Sequence, residues 1–185
     1  MDIGNYDFEH VQEAQWDVKS CVRCIAGATL DLSNLPNGMK RIPKGTPLRL
    51  TSARKAIVIK TATVVTAAAK DATSLEIAKG SLFQVGDTIA GSTISAIDTS
   101  NETKDVLTVT ALAKAVAKNA IVDDGNIADI IGLLYATTKL TDPTDRYPSA
   151  TWTIQAYEIR EETLPFPLSA DAKTALTSRH HWALF

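Results

Sequence analysis

Cys21 and Cys24, in the stretch VKSCVRCIAG, are the first residues along the chain whose type and spacing suggest chemistry. A Cys-x-x-Cys pair works either as a dithiol opening a helix in a thioredoxin-like unit or as half of a tetrahedral zinc site. Neither context follows, because the other soft ligands are only His10, His180, His181 and the thioethers of two methionines. Residues three apart on a strand point to opposite faces, so the expectation is two reduced thiols on a strand, with no metal and no cofactor.

Carboxylates come in close pairs, at Glu161-Glu162, Asp123-Asp124 and Asp142 with Asp145. Sequence neighbours on a strand face opposite ways, so the spacing of Glu161-Glu162 does not make a general acid and base. Asp98, Asn101 and Glu102 lack the Asp-x-Asp-x-Asp-Gly rhythm and distal Glu of a calcium loop, and a polar hairpin turn is expected there. No G-x-S-x-G, H-E-x-x-H, Walker loop or G-x-G-x-x-G occurs, and no nucleophile has a credible histidine base. The chain is therefore expected not to be an enzyme.

The elements that would position any site read as β. Apolar residues make up 45% and charged residues 22% of the 185, enough to build a core, and Ala, Thr, Val and Ile dominate where aromatics are few, at 6%. A net charge of −2 supplies no basic stripe for phosphates, so no nucleic-acid partner is expected. No apolar run is long enough to span a membrane, and the acidic start MDIGNYDFEH is unlike a secretory signal, so synthesis and retention in a host cytoplasm are expected.

Along the chain, residues 1–25 carry isolated aromatics without a period and read as an amino-terminal arm, becoming strand-like from Val18. TPLRLT and KAIVIKT, either side of Ser52-Ala53-Arg54-Lys55, predict a hairpin. From 62 to 121 the texture changes, with SLEIA, DTIAG, STISAID and DVLTVTA as strands. Ala111–Ala120 (ALAKAVAKNA) favours a helical turn by propensity. DIIGLLYATT and TWTIQAYEI resume strands, and Ser169 is placed to cap a short helix over Ala170–Thr177. The predicted domains are the arm 1–25, a core of 26–61 plus 122–185, and an insert at 62–121.

Thr46-Pro47-Leu48-x-Leu50 followed by Arg54-Lys55 and an apolar strand resembles the start of the lambda-type bacteriophage head-decoration proteins. Further on, Gly132-Leu133-Leu134, Thr137-Thr138, Trp152–Arg160, Leu164-Pro165, Ala170-Asp171-Ala172-Lys173 and the closing Leu184-Phe185 follow the same order of features. The insert, with SLEIAKGSLFQVGDTIAG, resembles a small β unit found in phage head fibre proteins; the lambda protein has no such insertion. The resemblance implies a mainly β fold with one or two short helices, a β-tulip-like decoration core and an inserted β-barrel-like unit. It implies a virion protein on the capsid exterior that binds the major capsid protein, trimerises with itself at threefold sites and stabilises the head. Capsid contacts are expected in the arm and first strand, at Tyr6, Phe8, Trp16, Val18 and Val22. The alternative is a head-fibre or adhesin-like module binding host-surface glycans, which usually calls for exposed aromatics; residues 62–121 hold only Phe83.

Overall fold

Fifteen short strands, two 3-10 turns and one α-helix make up the regular structure of the computed structural model among the residues it describes, 14–17, 21–140 and 148–180. The protein is mainly β with a single short helix, the class expected from its composition. In chain order the strands are β1 (Val22–Arg23), β2 (Ala28–Thr29), β3 (Arg41–Ile42), β4 (Pro47–Leu50), β5 (Ala56–Val58), β6 (Thr61–Thr63), β7 (Ser74–Ala78) and β8 (Thr88–Ile89). They continue as β9 (Ser92–Asp98), β10 (Lys104–Val109), β11 (Ile121–Asp123), β12 (Ile130–Leu133), β13 (Thr138–Lys139), β14 (Ser149–Ala150) and β15 (Thr153–Gln155), and α1 is Ala170–His180. The chain divides into an inserted unit, Lys60–Gly125, and an outer unit formed by the described residues up to Ile59 and from Asn126 onward.

Alternation builds the inserted unit. In β7 Leu75 and Ile77 turn inward, in β9 Ser92 and Ile94, and in β10 Asp105, Leu107 and Val109. The antiparallel order is β7-β10-β9-β8, with Leu107 opposite both Leu75 and Ile97. β6 and β11 pair separately, Thr61 to Asp123 and Thr63 to Ile121. The bridge Val64↔Ile77 ties β6 to β7, and the Ala90 amide donates to the Asp123 carbonyl, so the circuit of strands returns on itself around Phe83, Ile89, Ile94, Leu107 and Leu112.

Ala111–Ala120 is not helical. Its pairing partner is a segment that resembles it: residues 64–72, VVTAAAKDA, lie against 112–120, LAKAVAKNA. Ala68 and Val116 exchange both backbone hydrogen bonds, at 2.9 and 2.8 Å. On either side the bonds are reciprocal too, Val64 N–H to Ala120 O matching Leu112 N–H to Ala72 O, and Asn119 N–H to Val64 O matching Asp71 N–H to Leu112 O. Asp71 and Asn119 hold the same left-handed backbone, φ 66° and 63°, which Asp and Asn accept more readily than other side chains. The two copies thus clasp each other with local twofold symmetry. That tertiary pairing outweighs the helix propensity of Ala and Lys, which amounts to a few tenths of a kcal/mol per residue.

In the outer unit the pairing runs β5-β4-β12, then through the bridge Leu134↔Trp152 to β15 and on to β1. β2 pairs with β14 and reaches β5 by the parallel bridge Leu30↔Ala56, which curls the sheet round toward its own start. β3 and β13 form a further two-stranded ribbon. Helix α1 closes the core with Ala172 and Leu176, four residues apart and so on one face, among Trp16, Ile59, Ile130, Leu133, Ile159 and Leu168. Ser169 caps it as expected, its Oγ accepting the Ala172 amide at 3.1 Å.

Candidate functional site

Of the expected capsid contacts, the structure describes Trp16 and Val22. Tyr6, Phe8 and Val18 lie outside the described residues, and so does the terminal apolar end. Trp16 is a core residue: it is 7% exposed, and the Lys44 ammonium stands 4.2 Å from its ring centroid. The backbone around it is also engaged, with the Gln15 amide donating to Thr163 Oγ1, the Arg160 amide to Gln15 O, and the Asp17 amide to Tyr157 O. The segment read as an arm is therefore anchored to the outer unit from Ala14, because burying an indole and satisfying these amides offsets the cost of ordering four residues. Val22, by contrast, faces solvent at 47% exposure.

Val22 belongs to a ribbon that exposes large apolar side chains beside the charged Arg23. β1 pairs with β15, Val22 to Gln155 and Arg23 to Thr153, with an irregularity between the two pairs. The Cys24 amide continues the ladder to Trp152 O, and Gly27, at φ 59°, turns the chain where a Cβ would come within 2.9 Å of Ala150 O. This bend leaves Ile25 outside, at 93% exposure, with Ile154 on the partner strand at 41%. The inner side of the ribbon is fastened: the Leu133 amide donates to Thr153 Oγ1 and the Tyr135 amide to Thr151 O. Gly132 allows that approach, since a Cβ there would sit 2.3 Å from Thr153 O. Across the ribbon the Arg23 guanidinium lies over the Tyr135 ring at 5.3 Å. β1 pairs with no second strand among the described residues.

Cys21 and Cys24 are both free thiols; Cys21 packs against the core, and burial pushes its thiol up, with Lys44 and Trp16 pulling the other way. A raised pKa keeps the thiol protonated and unreactive. Among the described residues no group of three or more His, Cys, Asp or Glu is placed to hold a metal. No family model, no curated protein and no solved structure matches this chain. The site is thus read from its own geometry.

Two of the carboxylate pairs are accounted for locally, and Asp142 with Asp145 lies outside the described residues. Glu161 and Glu162 stand on a 3-10 turn and not on a strand, with Glu161 paired to Lys173 of α1. Asp123 Oδ1 accepts the Gly125 amide and Asp124 Oδ2 the Lys60 amide. In a hairpin turn Asp98 accepts the Ser100 amide, which lowers its pKa, and Asn101 accepts the Thr103 and Lys104 amides. Phe83 is 2% exposed in the inserted core and offers no face for a sugar to stack on. The inserted unit does have a groove of about 550 Å³ beside Ala90, Ala113, Lys114, Val116 and Ile121, lined largely by small and aliphatic residues.

Proposed function

We propose that this protein is a phage head-decoration protein that docks on the outer surface of an assembled capsid, with the β1–β15 ribbon as its contact. One observation carries the reading: Val22 and Ile25 stand exposed on and just after β1, with Ile154 exposed on β15, and β1 has no outer neighbour among the described residues. Isolated exposed apolar residues need no explanation, but several on one open sheet edge suit addition of a strand from a partner. The order of strands and helix behind the resemblance to lambda-type decoration proteins falls within one unit, with the insert forming another, and this supports the same reading. A trimer on a threefold site engages several capsid subunits at once, so that modest contacts gain avidity. A ligand that binds the assembled shell and not its separated subunits stabilises the shell by mass action.

The test is a titration of the purified chain against expanded, undecorated heads, followed by imaging of the decorated particles. Saturable binding with threefold protrusions is the expected result. Ile25→Asp should weaken binding at least about tenfold, the effect of losing a buried apolar anchor, with an unchanged thermal midpoint. Equal binding by wild type and Ile25→Asp would remove the ribbon as the contact, and absence of any binding would remove the decoration reading.

A further inference from the structure

A second surface of the outer unit is charged where the ribbon is greasy. From Leu32 to Ile59 the chain carries six lysines and arginines and no aspartate or glutamate. Three of the six, Arg49, Arg54 and Lys55, fall in the β4–β5 hairpin. At its tip the Arg54 amide donates to Thr51 O and the Thr51 amide to Lys55 O, with Ser52, Ala53, Arg54 and Lys55 all exposed. This is a three-residue hairpin loop whose last position takes the left-handed conformation, a place where glycine or asparagine is the ordinary choice. The chain has arginine there instead, at φ 58°. A left-handed arginine at an exposed tip raises the question of a use for its side chain.

The cations of this hairpin, Arg49, Arg54 and Lys55, are held in no contact ion pair among the described residues, and Arg49 Nε is buried without a hydrogen-bond partner. Asp31, whose amide donates to Ala56 O, accepts the Ser33 amide at 3.0 Å; its carboxyl is held below the ordinary value chiefly by Ser33 and only least by the Lys55 charge. We propose that the β4–β5 hairpin is a cationic docking tip, in which Arg54 and Lys55, backed by Arg49, meet carboxylates on an acidic protein surface. The inference deepens the decoration reading and rests on it for the identity of that surface, the outer face of the capsid. Protein carboxylates fit better than nucleic-acid phosphates, because the hairpin holds no aromatic side chain for a base to stack on and the chain as a whole is net negative, −2. Cations at the rim of a contact steer encounter and fix register.

The experiment uses the full chain and its variants Arg54→Gly, Arg54→Gly with Lys55→Ser, and Arg54→Gln with Lys55→Gln. Binding is measured to immobilised poly-L-glutamate, to a DNA duplex of matched charge, and to expanded heads. Wild type should bind poly-L-glutamate and weaken about tenfold as salt rises from about 0.05 to 0.5 M. Both double variants should lose most of that binding, while Arg54→Gly keeps or raises the thermal midpoint, since glycine suits the turn. The glutamine pair leaves the turn's backbone requirement as it is and so separates charge from folding. Poly-L-glutamate binding that is indifferent to the hairpin variants would overturn the proposal, and so would DNA binding tighter than poly-L-glutamate binding. Hairpin-dependent binding to poly-L-glutamate with none to heads would leave the cationic tip standing and remove the capsid as its partner.

Discussion

The inserted and outer units bury their cores by different means. Lys60–Gly125 is one continuous stretch, and its strands are the longest among the described residues, β9 with seven residues and β10 with six. Most of its core residues sit on paired strands, so each hydrogen-bonded ladder also aligns a row of buried side chains. In the outer unit no strand among the described residues exceeds four residues, and its core joins Trp16, Ile59, Ile130 and Leu176 from segments far apart in the chain. There the side chains hold the strands in register and not the reverse. Closing that core requires the ends of a long intervening segment to meet, at an entropic cost that grows slowly with length. A prefolded insert with adjacent ends reduces it.

Three measurements break or sharpen the comparison. The largest effect is expected from Leu107→Ala, which empties the centre of the inserted core, where Leu107 is fully buried opposite Leu75 and Ile97. It should cost about 2–5 kcal/mol, read calorimetrically as a fall in one unfolding transition with the other unmoved. A fall shared equally by both would show the units to be one cooperative body. Next comes Gly132→Ala in the outer unit, where the new methyl meets Thr153 O at 2.3 Å. The backbone must yield, at about 1–3 kcal/mol, and hydrogen exchange should rise at Thr153 and Tyr135 while β9 and β10 stay protected. The smallest is Glu76→Gln. Glu76 is held below its ordinary value of 4.5 by hydrogen bonds from Lys104 and Thr66. A depressed carboxylate contributes stability that is complete above the ordinary value and is lost as pH falls through the folded one. Glu76→Gln should therefore flatten the acid limb of the inserted unit's midpoint-against-pH curve and leave the outer unit's curve unchanged; an acid limb as steep as wild type would show that the Lys104 pair contributes nothing.

What could be read in advance follows the same division. Alternation in STISAID and DVLTVTA, the TPLRL and KAIVIK hairpin, and the Ser169 cap are local signals, and each was legible because neighbours in sequence decide it. Ala111–Ala120 was misread because its conformation is decided by residues 64–72. The signal lay in the repeat AAAKDA and AVAKNA, visible only when one stretch is compared with the other. Trp16 was unreadable for a further reason: a lone aromatic without period says nothing about whether its own core or a partner will cover it. Ile25 was legible as apolar, but not as exposed, since its position depends on the turn at Gly27 and the close approach of Ala150. The strain at Arg54 was hidden for the same reason, because a turn's left-handed position is known only once its register is.

The junction between the units has one more consequence. The inserted unit enters at Thr61–Thr63 and leaves at Ile121–Asp123 on two strands that lie side by side, and just outside them Lys60 and Asp124 exchange hydrogen bonds, amide to carboxylate at 3.3 Å and amide to carbonyl at 3.1 Å. To the chain leading in and out, a whole domain therefore has the footprint of a hairpin turn. Such a doorway is indifferent to what stands beyond it, provided the guest's two ends lie about 5 Å apart, the spacing of neighbouring strands. On the decoration reading, each copy then offers a socket in which one cassette can be exchanged for another of different size, and the shell's exterior can change its display without any change to the contacts that hold it.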